Sequence, residues 1–123
     1  MQNSEIYRRG FVVPLNEEAE QSILENNVRN STKVDYFELP NEEVFESLWE
    51  KGLFELINTQ LGAIIDDYEE ERIESQKVNE LKKILMAFEN DNEFDPLEKK
   101  VVLELKRLCD IAIKINSSVF FIL

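Results

Sequence analysis

The chain has 123 residues, of which 26 are Asp or Glu and 14 are Lys or Arg, with no histidine and one cysteine, giving a formal net charge of -12. Without an imidazole, Ser-His-Asp and Cys-His nucleophile systems are excluded, and Cys109 alone can form neither an internal disulfide nor a structural zinc site. At 43% apolar content including eight Phe, the chain suits one folded domain over residues 1–123, since a chain this long buries about two-thirds of the surface its unfolded form exposes.

In chain order, Ile6 to Val13 is rich in β-branched and aromatic residues and stops at Pro14, so it is expected to be a strand. Asn16 is the expected N-cap of the Glu-rich helix that follows, and Asn26 to Thr32 reads as a loop. Val34 to Leu39 is a second strand candidate ended by Pro40. Asn41 then caps a helix over Glu42 to Lys51, with Gly52 where a helix end wants positive φ. Leu53 to Ile57 continues as a short helix towards Gly62, and Ala63 to Arg72 is expected to begin another helical stretch. Val78, Leu81, Leu85 and Phe88 recur at helical spacing. Asp95-Pro96 opens the longest amphipathic helix, stepping through Leu97, Val101, Leu105, Leu108, Ala112 and Ile115. Asn116-Ser117-Ser118 breaks it, and Val119 to Leu123 reads as a short buried strand. The expected fold is α+β: a small sheet of about three strands packed against several helices.

No apolar run approaches the roughly 18 residues of a membrane span, and Met1-Gln2-Asn3-Ser4-Glu5 lacks a secretory pattern, so a cytoplasmic, soluble protein is expected. The three glycines are too far apart for a phosphate-cradling loop. No cofactor is expected. Residues 1–75 hold 18 acids and six bases, whereas residues 76–123 hold eight of each. All net charge therefore falls upstream. Such a surface repels nucleic-acid backbones and anionic lipids, and its natural complement is a basic protein.

The densest acidic segment is Asp66-Asp67-Tyr68-Glu69-Glu70-Glu71-Arg72-Ile73-Glu74. If helical, it lines up Asp66, Glu70 and Glu74 in one ladder and Asp67 with Glu71 in a second. Like charges at that spacing repel by about 0.2–0.5 kcal/mol per pair, a strain that an external basic side chain relieves. A solvated helix face explains the same run without a partner. The segment lacks an EF-hand loop, though Asp66, Asp67 and Glu70 leave open a divalent-metal site or a carboxylate enzyme. A wider acidic set surrounds Tyr36 and Trp49: Asp35, Glu38, Glu42, Glu43, Glu46 and Glu50. Aromatics rimmed by carboxylates suit recognition of Arg or Lys. Phe45 and Trp49 read as core residues, leaving Tyr36 and Tyr68 as the surface candidates. The expected partner-binding set is Asp35, Tyr36, Glu38, Asp66, Asp67, Tyr68, Glu70, Glu71 and Glu74. Cys109, inside an amphipathic helix, reads as packed and inert.

With its central Phe54-x-x-Ile57-Asn58 and Ile65-Asp66-Asp67-Tyr68-Glu69 segments, this short acidic chain resembles the small immunity proteins of bacterial toxin-immunity systems. The resemblance implies a protein-binding inhibitor that blocks a cognate basic toxin at its active site or an adjacent exosite. A structural or adaptor subunit, with charge serving solubility alone, is the remaining alternative.

Overall fold

The computed structural model describes residues 8–29, 31–66 and 70–123. Among these the order is β1 (Gly10–Pro14), α1 (Glu17–Leu24), β2 (Val34–Glu38), α2 (Glu42–Glu50), α3 (Leu53–Leu61), β3 (Glu70–Ile73), α4 (Ser75–Asp91), α5 (Pro96–Ile115) and β4 (Val119–Ile122). The strands form an antiparallel sheet in the order β2-β1-β4-β3. The fold is α+β, with four strands where about three are expected from sequence.

Local chemistry fixes the helix starts. Asn16 and Asn41 accept hydrogen bonds from the backbone N–H groups of Ala19 and Val44 at 2.7 and 2.8 Å, each satisfying a donor with no partner inside its helix. Asp95 and Glu98 form a reciprocal capping box at the start of α5, with Pro96 at the first helical position. Gly52, at φ 87°, turns the chain from α2 into α3. Asn116 ends α5 at φ 58°, and Ser117 then donates its hydroxyl to the Pro14 carbonyl at 2.7 Å, setting β4 beside β1. Gly10 allows β1 and β2 to approach closely, since a Cβ there would lie 2.1 Å from the Phe37 carbonyl oxygen.

Strand register divides the sheet's two faces, because directly paired residues point the same way. Phe11, Val13, Val119 and Phe121 pack with the buried faces of α2, α3, α4 and α5 into the main core. Val12 and Phe120 form a smaller cluster on the opposite face with Ile23 of α1 and Val28, against which Tyr36 packs. Leu105, Leu108, Cys109 and Ala112 of α5 are fully buried, as their spacing predicts.

The helix expected from Ala63 through Arg72, and with it the carboxylate ladder at four-residue spacing, is overturned: residues 70–73 are strand β3. The physical reason is non-local. The terminal strand β4 pairs with β1 on one side, and its other edge would leave buried backbone groups without partners. Residues 70–73 pair with that edge, Glu71 opposite Phe121 and Ile73 opposite Val119. Ile73 enters the core at 1% exposure. Tertiary pairing thus overrides the helical preference of a Glu-rich run. Asp67 and Tyr68 lie outside the described residues.

Candidate partner-binding surface

The sheet order separates the expected binding residues into two groups. Asp35, Tyr36 and Glu38 lie on β2 at one edge, while Glu70 and Glu71 lie on β3 at the other. Three inter-strand gaps put these edges about 14 Å apart. Asp66 is exposed in the segment before β3, and Glu74 stands at the N-cap of α4.

Several of these groups already have partners. Asp35 takes a bidentate hydrogen bond from Arg107 of α5, at 3.0 and 3.2 Å. Those hydrogen bonds raise the Arg107 guanidinium pKa and so hold its positive charge. Tyr36 is half-buried, its hydroxyl accepting from the Arg8 N–H at 2.9 Å and donating to the Arg8 carbonyl at 2.8 Å. Burial pushes the phenol pKa up, against the opposing pull of the Arg8 hydrogen bond. Tyr36 therefore keeps part of its ring at the surface while its hydroxyl is tied to the chain's own backbone. Glu71 accepts from the Ile64 N–H at 3.1 Å, and Glu74 pairs with Arg72 at 3.4 Å. Glu70 is exposed, though partial desolvation beside the sheet edge raises its carboxyl pKa.

The acids of α2 are arranged differently. At about 3.6 residues per turn, Glu42, Glu43, Glu46 and Glu50 fall within roughly a 100° arc opposite the buried side of Val44, Phe45 and Leu48. All four are exposed. Glu42 pairs with Arg9 at 3.0 Å, and Arg9 also lies 4.2 Å from the centre of the Phe45 ring. Glu43, Glu46 and Glu50 have no ion pair among the described residues. Trp49 borders this arc and is 38% exposed, its indole leaning on Phe45 and Phe54 with ring centres 5.8 and 5.5 Å away. Phe45 is buried as expected, but Trp49 is not fully enclosed. The sequence carried a signal for this, since Trp49 falls at the margin of the apolar stripe rather than at its centre.

Of the eight downstream bases, Lys82, Lys83, Lys106 and Arg107 pair with downstream acids. Lys82 pairs with Asp110 and Lys106 with Glu89, both at 2.6 Å. Arg107 divides its guanidinium between Glu104 of its own helix and Asp35 of β2, at 3.0 Å each. At the lower end of α2, buried Glu98 accepts hydrogen bonds from Ser47 and, at 2.6 Å, from Lys51. Burial opposes ionisation of Glu98, but Lys51, Ser47 and the Asp95 N–H together outweigh it and hold the carboxyl below the ordinary range. This network fixes the end of α2 against the start of α5, so the acid arc is carried on a braced helix.

Burial pushes the Cys109 thiol up to about 12, the chemistry of a packed rather than nucleophilic cysteine. Among the described residues no group of three or more acidic or thiol side chains converges as a metal site, and no helix is long and apolar enough to cross a membrane. Comparison with protein-family models, curated proteins and solved structures returns no match, so the functional reading rests on this chain's own residues.

Proposed function

We propose that the protein is a protein-binding inhibitor that uses its acidic surface to occupy a basic partner, in the manner of a cytoplasmic immunity protein neutralising a toxin domain. The observation that carries this reading is the arc of exposed carboxylates on α2 beside the partly exposed Trp49 indole. An incoming Arg can lay its guanidinium on the indole face while donating hydrogen bonds to neighbouring carboxylates, so cation–π and charge-assisted contacts add. Like-charge repulsion along α2 falls as the partner's cations arrive. The upstream charge excess also steers a basic partner before contact, which raises the association rate more than it lengthens the life of the complex.

Glu38 and the β3 acids extend the negative field at the two sheet edges, and Asp35, already neutralised by Arg107, contributes little. The test begins with partner isolation by co-purification from the native cell, followed by affinity measurement with the Glu43→Lys, Glu46→Lys, Glu50→Lys triple variant. Affinity at low salt is expected to fall by at least about tenfold, or 1.4 kcal/mol. Unchanged affinity for the same partner would contradict the reading.

A further inference from the structure

α3 and α4 lie side by side and antiparallel, the Lys77 ammonium near the start of α4 donating to the Leu61 carbonyl at the end of α3 at 3.0 Å. Between them runs an open groove of about 600 Å³ that extends along α3 from Gly52 to Gln60. At 1.5 Å per residue this is a channel about 12 Å long. Its floor is apolar, formed by Leu56, Ile84, Ala87 and Phe88. Leu56 is half-buried and Ala87 is exposed, so both present apolar surface to the channel.

The charges on its rim are not balanced. Lys51 is committed to buried Glu98 at 2.6 Å, and Lys83 faces Glu80 at 3.5 Å. Glu55 and Asp91, one on each wall, are exposed and have no ion pair among the described residues. The groove therefore combines an apolar floor with a negative rim. An extended peptide would set unsatisfied N–H and C=O groups against the floor, whereas a helix satisfies its backbone internally. Two adjacent helices also offer the ridges and grooves into which a third packs. A second copy of this chain, itself carrying -12, is repelled from such a rim.

We propose that this groove receives an amphipathic basic helix of the partner, its aliphatic face over Leu56 and Ala87 and its Lys or Arg side chains towards Glu55 and Asp91. The inference rests on the acidic-inhibitor reading above and names the partner element that the reading leaves open. The helix supplies both chemistries the groove lacks: apolar cover for the floor and cations for the rim.

The test uses the full chain and two end-blocked peptides of identical Leu and Lys content. One places its leucines at i, i+3, i+4 and i+7; the other scatters them so that no apolar face forms. Calorimetry is expected to show the amphipathic peptide bound at least about tenfold more tightly, and Ala87→Gln, with its helix content checked by circular dichroism, is expected to abolish that preference. Carbodiimide coupling of the bound amphipathic peptide to the wild-type chain should join its lysines to Glu55 or Asp91. Equal affinities for the two peptides, or coupling only to Glu43, Glu46 and Glu50, would overturn the groove proposal. If the α2 triple variant then weakens both peptides alike, the acidic-surface reading survives that failure. A preference that Ala87→Gln removes and the α2 triple variant leaves intact, with affinities unchanged, supports the groove and counts against α2.

Discussion

Glu98 illustrates what a single carboxylate does when it is buried with its partners. It closes the capping box of α5, accepts from Ser47 and holds Lys51, so one side chain joins two helices. Glu98→Ala removes a cap and strips buried groups of their partner, and is expected to destabilise the fold by about 2 kcal/mol in denaturant titration. Asp35→Ala also breaks a bidentate pair, but Arg107 is 43% exposed on its side chain, and the expected loss is under about 1 kcal/mol. The pH dependence has a definite sign. Because the folded-state pKa of Glu98 lies below its ordinary value, the unfolded chain takes up the proton first as pH falls. The stabilisation is complete above the unfolded value of about 4.3 and is lost as pH falls through the folded value. The stability gap between wild type and Glu98→Gln should therefore be flat above that point and narrow below it. These pairings were not legible in the sequence: Ser47 and Glu98 lie 51 positions apart, and Asp35 and Arg107 lie 72 apart. The Asp95 cap and the buried Cys109 were legible, because each depends on neighbours within a few residues.

Helix ends and amphipathic stripes are written locally, and here they were readable: Asn16, Asn41, Gly52 and Asp95-Pro96 stand where α1, α2, α3 and α5 begin. Strand β3 was not. Residues 70–73 carry a helix-compatible composition and become a strand because β4 offers an unpaired edge roughly 50 positions later in the chain. The consequence for function is direct, since a carboxylate ladder at helical spacing does not form there and the acids of β3 alternate between the two faces. A comparable ladder forms instead on α2. β4 itself is central, paired with β1 and β3 and carrying Val119, Phe120 and Phe121 at 1% exposure or less. A chain ending at Asn116 is expected to lose cooperative thermal unfolding, because it exposes both neighbouring strands and opens the core. A sharp transition at the wild-type temperature would contradict the assigned sheet order.

At the scale of the whole molecule, charge separates from stability. The downstream helices balance their own charges through pairs such as Lys82–Asp110 and Lys106–Glu89, whereas the α2 arc has few internal counter-ions. The sequence located the excess upstream of Gln76 but could not divide it, because the division depends on sheet order and on which side of α2 faces the core. The result is a surface on which the β2 edge keeps Glu38, the β3 edge about 14 Å away carries Glu70 and Glu71, and one acidic helix face is marked by a tryptophan. The proposed engagement of the partner by the α2 face is measured by stopped-flow association of the co-purified partner across ionic strength, comparing wild type with Glu43→Gln, Glu46→Gln, Glu50→Gln and with Glu70→Gln, Glu71→Gln, Glu74→Gln. The rate is expected to fall steeply with salt for wild type, nearly as steeply for the β3 variant, and much less for the α2 variant. A slope that flattens in the β3 variant and stays unchanged in the α2 variant would rule out the α2 face as the contact.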